Sequence, residues 1–305
     1  MHYIIMDLEW NYAYAHKLKG FINEIIEIGA VKLNEELEIV DTFSSFIKVQ
    51  IGKKLKGKVK RITNITAQDL ESGKPFTQAL AEFRHWVGEG DCLTLTWGDG
   101  DIRVLIDNYK YLNGISFIPF LKKYADLQAF FHKAHKLPTT TQIGLSTAAE
   151  KLEIDVSAFD IHRALGDSLL SAEIFSKSFD AELLEELTLD CDQKFYDRLS
   201  FKAYIISRLD DPDIKSEAMY CVCKICKIRA EQVDEWAYKN KYFHSEFHCK
   251  ECGTDYEVRI RFKKHFDKVT VHKRYRTKVA PDESAQDDAL ASREVGEAPE
   301  APANI

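Results

Sequence analysis

Three apolar segments near the start of the chain have the lengths and polarity patterns of β-strands. Residues 3–8 form a short apolar run typical of a buried strand, and residues 25–33 begin a second strand in which polar and apolar positions alternate. Residues 37–49 predict a third strand. Three early strands in close succession favour an antiparallel meander.

Beyond the third strand the pattern becomes helical. Residues 76–87 place apolar side chains at the spacing of one helix face, and residues 92–97 form another short apolar strand. Helical patterns then dominate residues 102–179. Strands followed by a mixture of strand and helix are typical of an α/β domain with a mixed sheet.

The last third of the chain divides by composition. Residues 181–218 are acidic with a helical pattern, and residues 219–279 hold five of the seven cysteines among alternating aromatic and basic positions. Residues 280–305 are mostly Ala, Pro, Glu and Asp without aromatics, a composition typical of disorder. We therefore predict an α/β domain over residues 1–180, a helical linker, a small β-rich module and a disordered acidic tail.

Charge is distributed unevenly within a net charge of −7. Residues 47–61 carry seven Lys or Arg and no acid, and residues 257–278 carry nine against two acids. Such clusters fit a phosphate-rich partner, although lysine-rich loops also serve solubility. No apolar run approaches the ~20 residues of a membrane helix. The N-terminus lacks the basic and apolar regions of a signal peptide, so we expect a cytoplasmic protein without membrane contact.

Two carboxylates interrupt the first predicted strand. Asp7 and Glu9 are separated by one residue, so both point to the same face. Carboxylates this close repel each other unless a cation lies between them, and oxygen ligands suit Mg²⁺ or Mn²⁺. A solvated strand end is the alternative interpretation of this pair alone.

Further candidate ligands lie where later helices begin. Asp101 follows the strand of residues 92–97, at the edge where ligands gather in α/β sheets. Asp99 lies two residues earlier and competes for the same role. His162 and Asp167 flank Gly166 before an apolar helix, and the glycine permits a close backbone approach.

Together these motifs resemble the DEDDh exonucleases of the ribonuclease H-like superfamily, in the branch with the Eri-1-like and sporulation-inhibitor-type bacterial exonucleases. The resemblance covers roughly residues 1–180. It rests on Asp7-Leu-Glu9, Trp97-Gly-Asp-Gly-Asp101 and His162-x-Ala-x-x-Asp167. Leu105 follows Asp101 by four residues, and this spacing favours Asp101 over Asp99. Residues 24–31 resemble the second strand of the family, and residues 62–66 its Thr-Gly-Ile-Thr segment, with Asn64 in place of Gly.

The resemblance implies a mixed five-stranded sheet flanked by helices and a 3′→5′ exonuclease that uses two Mg²⁺ or Mn²⁺ ions. Asp7, Glu9 and Asp167 would hold one ion, and Asp7 and Asp101 the other. His162 would act as the general base, and the product would be a nucleoside 5′-monophosphate. Trp10 and Asn11 follow the first motif, and we expect them to contact the terminal nucleotide.

The cysteines of residues 219–279 predict a metal site. Cys223-Lys-Ile-Cys226 and Cys249-Lys-Glu-Cys252 are two C-x-x-C knuckles separated by 22 residues. Four thiolates at similar spacing suit tetrahedral Zn²⁺, and clustered cysteines in a chain without a secretion signal favour metal over disulfides. We predict one structural zinc ion in a zinc-ribbon module, with Cys221 as an alternative to Cys223.

Basic and apolar residues alternate after the second knuckle. The basic set is Arg259, Arg261 and Lys263, and the apolar set is Val258, Ile260 and Phe262. A basic strand face is a candidate nucleic-acid surface, with an ordinary solvated face as the alternative. The partner predicted for the whole chain is a single-stranded 3′ end, with RNA favoured over DNA through the branch resembled. The rival hypothesis is an adaptor that keeps an exonuclease fold without using its catalytic site.

Overall fold

The computed structural model describes residues 1–138 and 142–277, which form two compact units. The first unit ends at Ser200 and the second begins at Phe201. The predicted tail at 280–305 lies outside the described residues. None of the helices in the described ranges is long and apolar enough to cross a membrane.

The first unit combines strands and helices in the predicted order. Its strands are β1 His2–Ala15, β2 Gly20–Leu33, β3 Ile39–Phe46, β4 Cys92–Thr96, β5 Lys123–Asp126 and β6 Leu189–Asp190. Its α-helices are α1 Gly57–Thr63, α2 Ala67–Ser72, α3 Phe76–Val87, α4 Gly100–Asn113, α5 Leu127–Ala134, α6 Leu145–Lys151, α7 Ala164–Ser178, α8 Ala181–Leu187 and α9 Gln193–Ser200.

These strands form one mixed sheet with the order β3-β2-β1-β4-β5-β6. The first three strands pair antiparallel, which confirms the predicted meander. β4 lies parallel to both β1 and β5. The prediction of five strands was one short, because the two-residue β6 pairs antiparallel with β5 at the sheet edge.

Apolar side chains cover both faces of this sheet, because β1 alternates its side chains between them. Ile4, Met6 and Leu8 pack in a core with α3, α4 and α9. Tyr3 and Ile5 pack in a second core with α5, α7 and α8. The sheet is thus the middle layer of three, and Asp7 and Glu9 share the face that α7 covers.

The second unit is built mainly of strands. They are β7 Tyr204–Ile205, β8 Glu231–Gln232, β9 Ala237–Lys239, β10 Tyr242–His248, β11 Asp255–Lys264 and β12 Val269–Thr277. β11 pairs antiparallel with both β10 and β12. Its apolar set, with Val258 among it, is buried in a core that also holds Phe243 and Phe247.

Residues 181–218 do not form one helical linker. They are divided between the two units. Leu184 of α8 packs in a sheet core, and Phe195 and Tyr196 of α9 are buried in the opposite core. Residues 201–218 belong to the second unit, where β7 pairs with β11. A linker was predicted because the segment is acidic and each of its short helices buries only one or two apolar side chains.

Candidate active site

The first two candidate ligands lie side by side at the point where β1 leaves the centre of the sheet. β1 pairs with β4 only through Ile5, so Asp7 and Glu9 lie beyond the last paired residue of β4. A β-bulge follows at once, between Glu9 and Trp10. The alternation predicted for the two acids is therefore present, and both face the start of α7.

Asp101 lies in the first turn of α4 and is buried. Its Oδ1 accepts a hydrogen bond from the backbone N–H of Leu8, at 3.1 Å, which ties the helix start to the strand between the two acids. Asp99 instead forms an ion pair with Arg103, with an Nη2–Oδ2 distance of 2.7 Å. The two aspartates thus have separate environments, and Asp101 is the one that faces the other candidate ligands.

Glycines allow α7 to approach the sheet and the loop before it. A Cβ on Gly29 of β2 would lie 2.1 Å from the carbonyl carbon of Ala164, the first residue of α7. A Cβ on Gly166 would lie 1.9 Å from the carbonyl oxygen of Asp160. The close approach expected at Gly166 is present, and a second one exists at Gly29.

An ion pair between buried Glu27 and half-buried Arg163 fixes the start of α7 as well. Glu27 of β2 accepts hydrogen bonds from Nε and Nη2 of Arg163, at 3.1 and 2.7 Å, and from the backbone N–H of Ala164. The guanidinium also lies over the ring of Phe46, 5.0 Å from its centroid. Glu27 was not among the predicted site residues, although an acid among the apolar residues of β2 was the available signal.

His162 is exposed and adopts a left-handed backbone conformation, with φ of 62°. Its backbone N–H donates to Oδ2 of Asp167 at 3.1 Å. This bond links the two halves of the third motif, and His162 lines the same cavity as the carboxylates. A strained backbone at a candidate base is typical of functional sites.

One cavity of about 280 Å³ brings all five predicted residues together. Its lining comprises Asp7, Glu9, Asp101, His162 and Asp167, together with Leu8, Trp10, Ile62, Trp97, Leu145, Ser146 and Ile161. Oxygen atoms of Asp7, Glu9 and Asp167 all lie within 4.8 Å of one another. Trp10 was predicted as a nucleotide contact, whereas Leu145 and Ser146 were not predicted, because no motif marks their segment of the chain.

Burial and mutual repulsion disfavour the charged forms of these carboxyl groups. Burial raises the pKa of Glu9 to about 8 and that of Asp167 to about 6. Burial, followed by the charges of Asp101 and Asp167, raises the pKa of Asp7 well above its usual value. A divalent cation would remove this penalty, so the donor set fits a metal that prefers oxygen ligands.

The two predicted nucleotide contacts differ in position. Trp10 is half-buried and lines both the 280 Å³ cavity and an adjoining one of about 850 Å³. Asn11 is fully buried and lines neither cavity. Its amide donates to the Lys54 carbonyl and accepts from the Lys56 N–H, at 3.2 and 3.0 Å. These contacts hold the side chain away from the cavity, contrary to its predicted role.

The four predicted zinc ligands meet in the second unit. Sulfur atoms of Cys223, Cys226, Cys249 and Cys252 lie within 4.8 Å of one another. Backbone N–H groups of Ile225 and Cys226 donate to the Cys223 sulfur at 3.3 Å, an arrangement that stabilises a thiolate. Cys221 is buried outside this cluster. The geometry fits a tetrahedral metal and favours Cys223 over Cys221.

Basic side chains lie on one face of β11, as its alternation predicted. Arg259 and Lys263 are exposed, and Arg261 is half-buried with its guanidinium 5.1 Å from the ring centroid of Tyr242. Arg259 pairs with Arg274 of the neighbouring strand β12, which adds a further cation to this face. Arg259 also bonds Glu257 on its own strand, at 2.7 and 2.9 Å.

Known proteins share the architecture of the first unit. A profile of the exonuclease family (RNase_T) matches residues 4–175. The probable 3′-5′ exonuclease KapD of Bacillus subtilis is 32% identical over 157 residues, covering 52% of this chain and 74% of that protein. Human 3′-5′ exoribonuclease 1 is 29% identical over 161 residues, which are 50% of this chain and 46% of the human protein.

Solved structures agree with these matches. The nuclease domain of 3′hExo, described as a DEDDh family member bound to rAMP, superposes with a TM-score of 0.51 and 27% identity, covering 58% of this chain and 90% of that chain. The matched region contains the carboxylate cavity. The chain therefore belongs to the exonuclease family and is a 3′–5′ exonuclease of the DEDDh type.

Proposed function

We propose that this protein trims single-stranded RNA from the 3′ end by a two-metal mechanism and releases nucleoside 5′-monophosphates. The observation that carries the proposal is the cavity in which Asp7, Glu9, Asp101, His162 and Asp167 meet. Raised pKa values at several of these acids support a site that is completed by cations.

Each acid has a distinct place in the proposed site. Asp7, Glu9 and Asp167 would hold one Mg²⁺ or Mn²⁺ ion, and Asp7 with Asp101 the second. When bound, the pair of cations supplies charge neutralisation for the attacking and leaving oxygens. The bond from Leu8 to Asp101 and the bond from His162 to Asp167 keep these carboxylates in place without substrate.

His162 is the proposed general base. It takes a proton from the attacking water, whose oxygen bonds to the terminal phosphorus while the bond to the 3′ oxygen of the preceding nucleotide breaks. His162→Ala should slow turnover at least ~100-fold and leave oligonucleotide affinity within about twofold of wild type. Near-wild-type turnover by this variant would remove His162 from the mechanism.

The preference for a single strand is supported by aromatic side chains beside the cavity. Trp10 lines both cavities, and the larger one continues to Tyr12 and Phe21, whose rings stack at 4.6 Å and 8°. Exposed stacked rings suit unpaired bases, since every base offers a π-face. A duplex hides these faces and should be degraded more slowly than a single strand of the same sequence.

The choice of RNA rests on the relatives. Human 3′-5′ exoribonuclease 1 carries the substrate class in its name, and the nuclease domain of 3′hExo is described as bound to rAMP. Equal amounts of 5′-labelled RNA and DNA of one sequence, digested together with Mn²⁺, test the choice. We expect RNA to shorten faster, and faster loss of DNA would overturn this part of the proposal.

The second unit would hold the polynucleotide while the first trims its end, around one structural Zn²⁺ in the four-cysteine cluster. The basic set of β11 supports this role, because cations on one sheet face attract phosphates. Reversing the charge at Arg259, Arg261 and Lys263 should weaken long-RNA binding at least ~10-fold and leave dinucleotide hydrolysis unchanged. Unaltered affinity for long RNA would reject this surface.

A regulatory adaptor is the second candidate, supported by the four-cysteine unit that lies outside the family match. It predicts nucleic-acid binding by the second unit that does not depend on the catalytic metal ions. A cytoplasmic location remains part of the proposal, because a reduced four-thiol cluster suits a reducing compartment. Fractionation of cells that express the protein would test the location.

A further inference from the structure

Positive charge is concentrated in the segment between β3 and α2, which includes α1. Residues 47–61 contain seven Lys or Arg and no acid, and six of these side chains are exposed beyond residue 52. They are Lys53, Lys54, Lys56, Lys58, Lys60 and Arg61. The ion pairs among the described residues involve none of the six. We call residues 53–61 the basic segment.

Two buried polar side chains hold the backbone of this region in place. Glu24, which is 2% exposed, accepts hydrogen bonds from the backbone N–H groups of Gln50, Ile51 and Gly52. Asn11 is bonded to both Lys54 and Lys56. A loop that served solubility alone would not need buried anchors, and a fixed backbone lowers the entropic cost of binding a ligand.

The basic segment continues directly into the catalytic cavity. It leads through α1 to Ile62, which lines the cavity with His162 and Asp167. Asn64 then ends the helix in the left-handed conformation, with φ of 57°. A nucleic-acid chain that leaves the cavity past Ile62 therefore meets the basic segment first.

We infer that the basic segment binds the phosphate backbone of the substrate upstream of the scissile bond and so favours long over short substrates. The inference rests on the proposed exonuclease function and adds a second binding surface, on the catalytic unit itself. Asn11 is then a positioning residue: it acts through the loop and does not touch the nucleotide.

The test uses the full chain with Lys53, Lys54 and Lys56 changed together to Gln. Binding is measured by fluorescence anisotropy on single-stranded oligonucleotides of increasing length, in a His162→Ala background that prevents degradation. We expect at least ~10-fold weaker binding of long oligonucleotides, and a plot of log K against log salt that is shallower by ~2, since each phosphate contact contributes ~0.7 to the slope. Dinucleotide affinity should stay within about twofold.

The matched control removes the same charge at the other end of the unit. Lys133, Lys136 and Lys177 are exposed on or just after α5 and near the end of α7, and changing them to Gln should leave the salt slope as in wild type. Equal effects of the two triple variants, or an unchanged slope in the first, would overturn the inference. If wild-type protein degrades no nucleic acid but the two triple variants still differ, the surface stands and only the proposed function fails.

Discussion

Buried Glu27 on β2 and half-buried Arg163 at the start of α7 form an ion pair, although 136 residues separate them in the chain. The carboxylate is 1% exposed and also accepts from the N–H of Ala164. Glu27 pairs with Glu9 across the strands, so one residue connects the metal-facing strand to the helix that carries Asp167. The position of the third motif therefore depends on a residue outside all three motifs.

Glu27→Gln tests this dependence. Loss of the charge leaves Arg163 poorly compensated, and we expect the free energy of unfolding to fall by about 2 kcal/mol and turnover to fall ~10-fold or more. Urea unfolding and initial rates measure both. Glu186→Gln breaks an exposed pair with Lys133 and should change stability by less than about 0.5 kcal/mol. Equal stability of the two variants would contradict the structural role of Glu27.

Two glycines provide a steric test of the same contact. Gly29→Ala and Gly166→Ala would place a Cβ within about 2 Å of backbone atoms, so the helix start must shift. We expect losses of at least ~3 kcal/mol together with lower activity. Gly90→Ala is the control, because a Cβ there meets nothing within 4 Å. Thermal unfolding of the three variants decides the point, and a stable, active Gly166→Ala protein would refute the close approach.

The raised carboxyl pKa values predict how metal-free protein responds to pH. Glu9 ionises at an ordinary value of 4.5 when unfolded and at about 8 when folded. The native state therefore binds more protons between these values, and stability decreases as pH rises from about 4.5 to 8. Without metal, Glu9→Gln should raise Tm at pH 8 by ~3 °C or more and have little effect at pH 5.

Mn²⁺ should oppose this loss of stability at high pH. Added Mn²⁺ is expected to raise the Tm of wild-type protein more at pH 8 than at pH 5, since the metal competes with protons for the same oxygens. The Glu9→Gln variant should gain less from the metal. A Tm of metal-free wild type that rises steadily from pH 5 to pH 8, or an equal gain in both proteins, would contradict the assigned environment of Glu9.

The cysteine cluster predicts which thiols bind zinc. Cys223→Ser should reduce the zinc content from one ion per chain toward zero and unfold the second unit, because metal binding there is coupled to folding. Cys221→Ser is the matched control, since its thiol is equally buried but lies outside the cluster. Zinc released by a thiol reagent and counted by a colorimetric chelator measures both. Loss of zinc in Cys221→Ser alone would reverse the assignment.

Local patterns predicted the parts of the site that lie on regular elements. The same-face placement of Asp7 and Glu9 follows from strand alternation, and the Gly166 contact follows from the absence of a side chain. The spacing to Leu105 favoured Asp101 over Asp99, but competition from Asp99 stayed possible, because it depends on which way the first turn of α4 faces Leu8. That orientation is set by packing between α4 and the sheet, which no local pattern records.

The wrong prediction for Asn11 has a physical reason that also applies to Glu27 and to residues 181–218. The position of Asn11 after the first motif suggested a substrate contact, but its amide bonds backbone groups more than 40 residues away. A contact at that separation has no periodic signature in the sequence. Glu27 was not predicted for the same reason, because its partner lies on a distant element. The division of residues 181–218 was not predicted, because their short helices each bury only one or two apolar side chains.

The most direct test of the account compares wild-type protein with Asp7→Ala on 5′-labelled single-stranded RNA in the presence of Mn²⁺. We expect the wild-type protein to give a ladder that shortens from the 3′ end, with nucleoside 5′-monophosphates as product, and the folded variant to give none. A ladder of similar rate from Asp7→Ala, or none from the wild-type protein, would contradict the assignment of this cavity as the catalytic site.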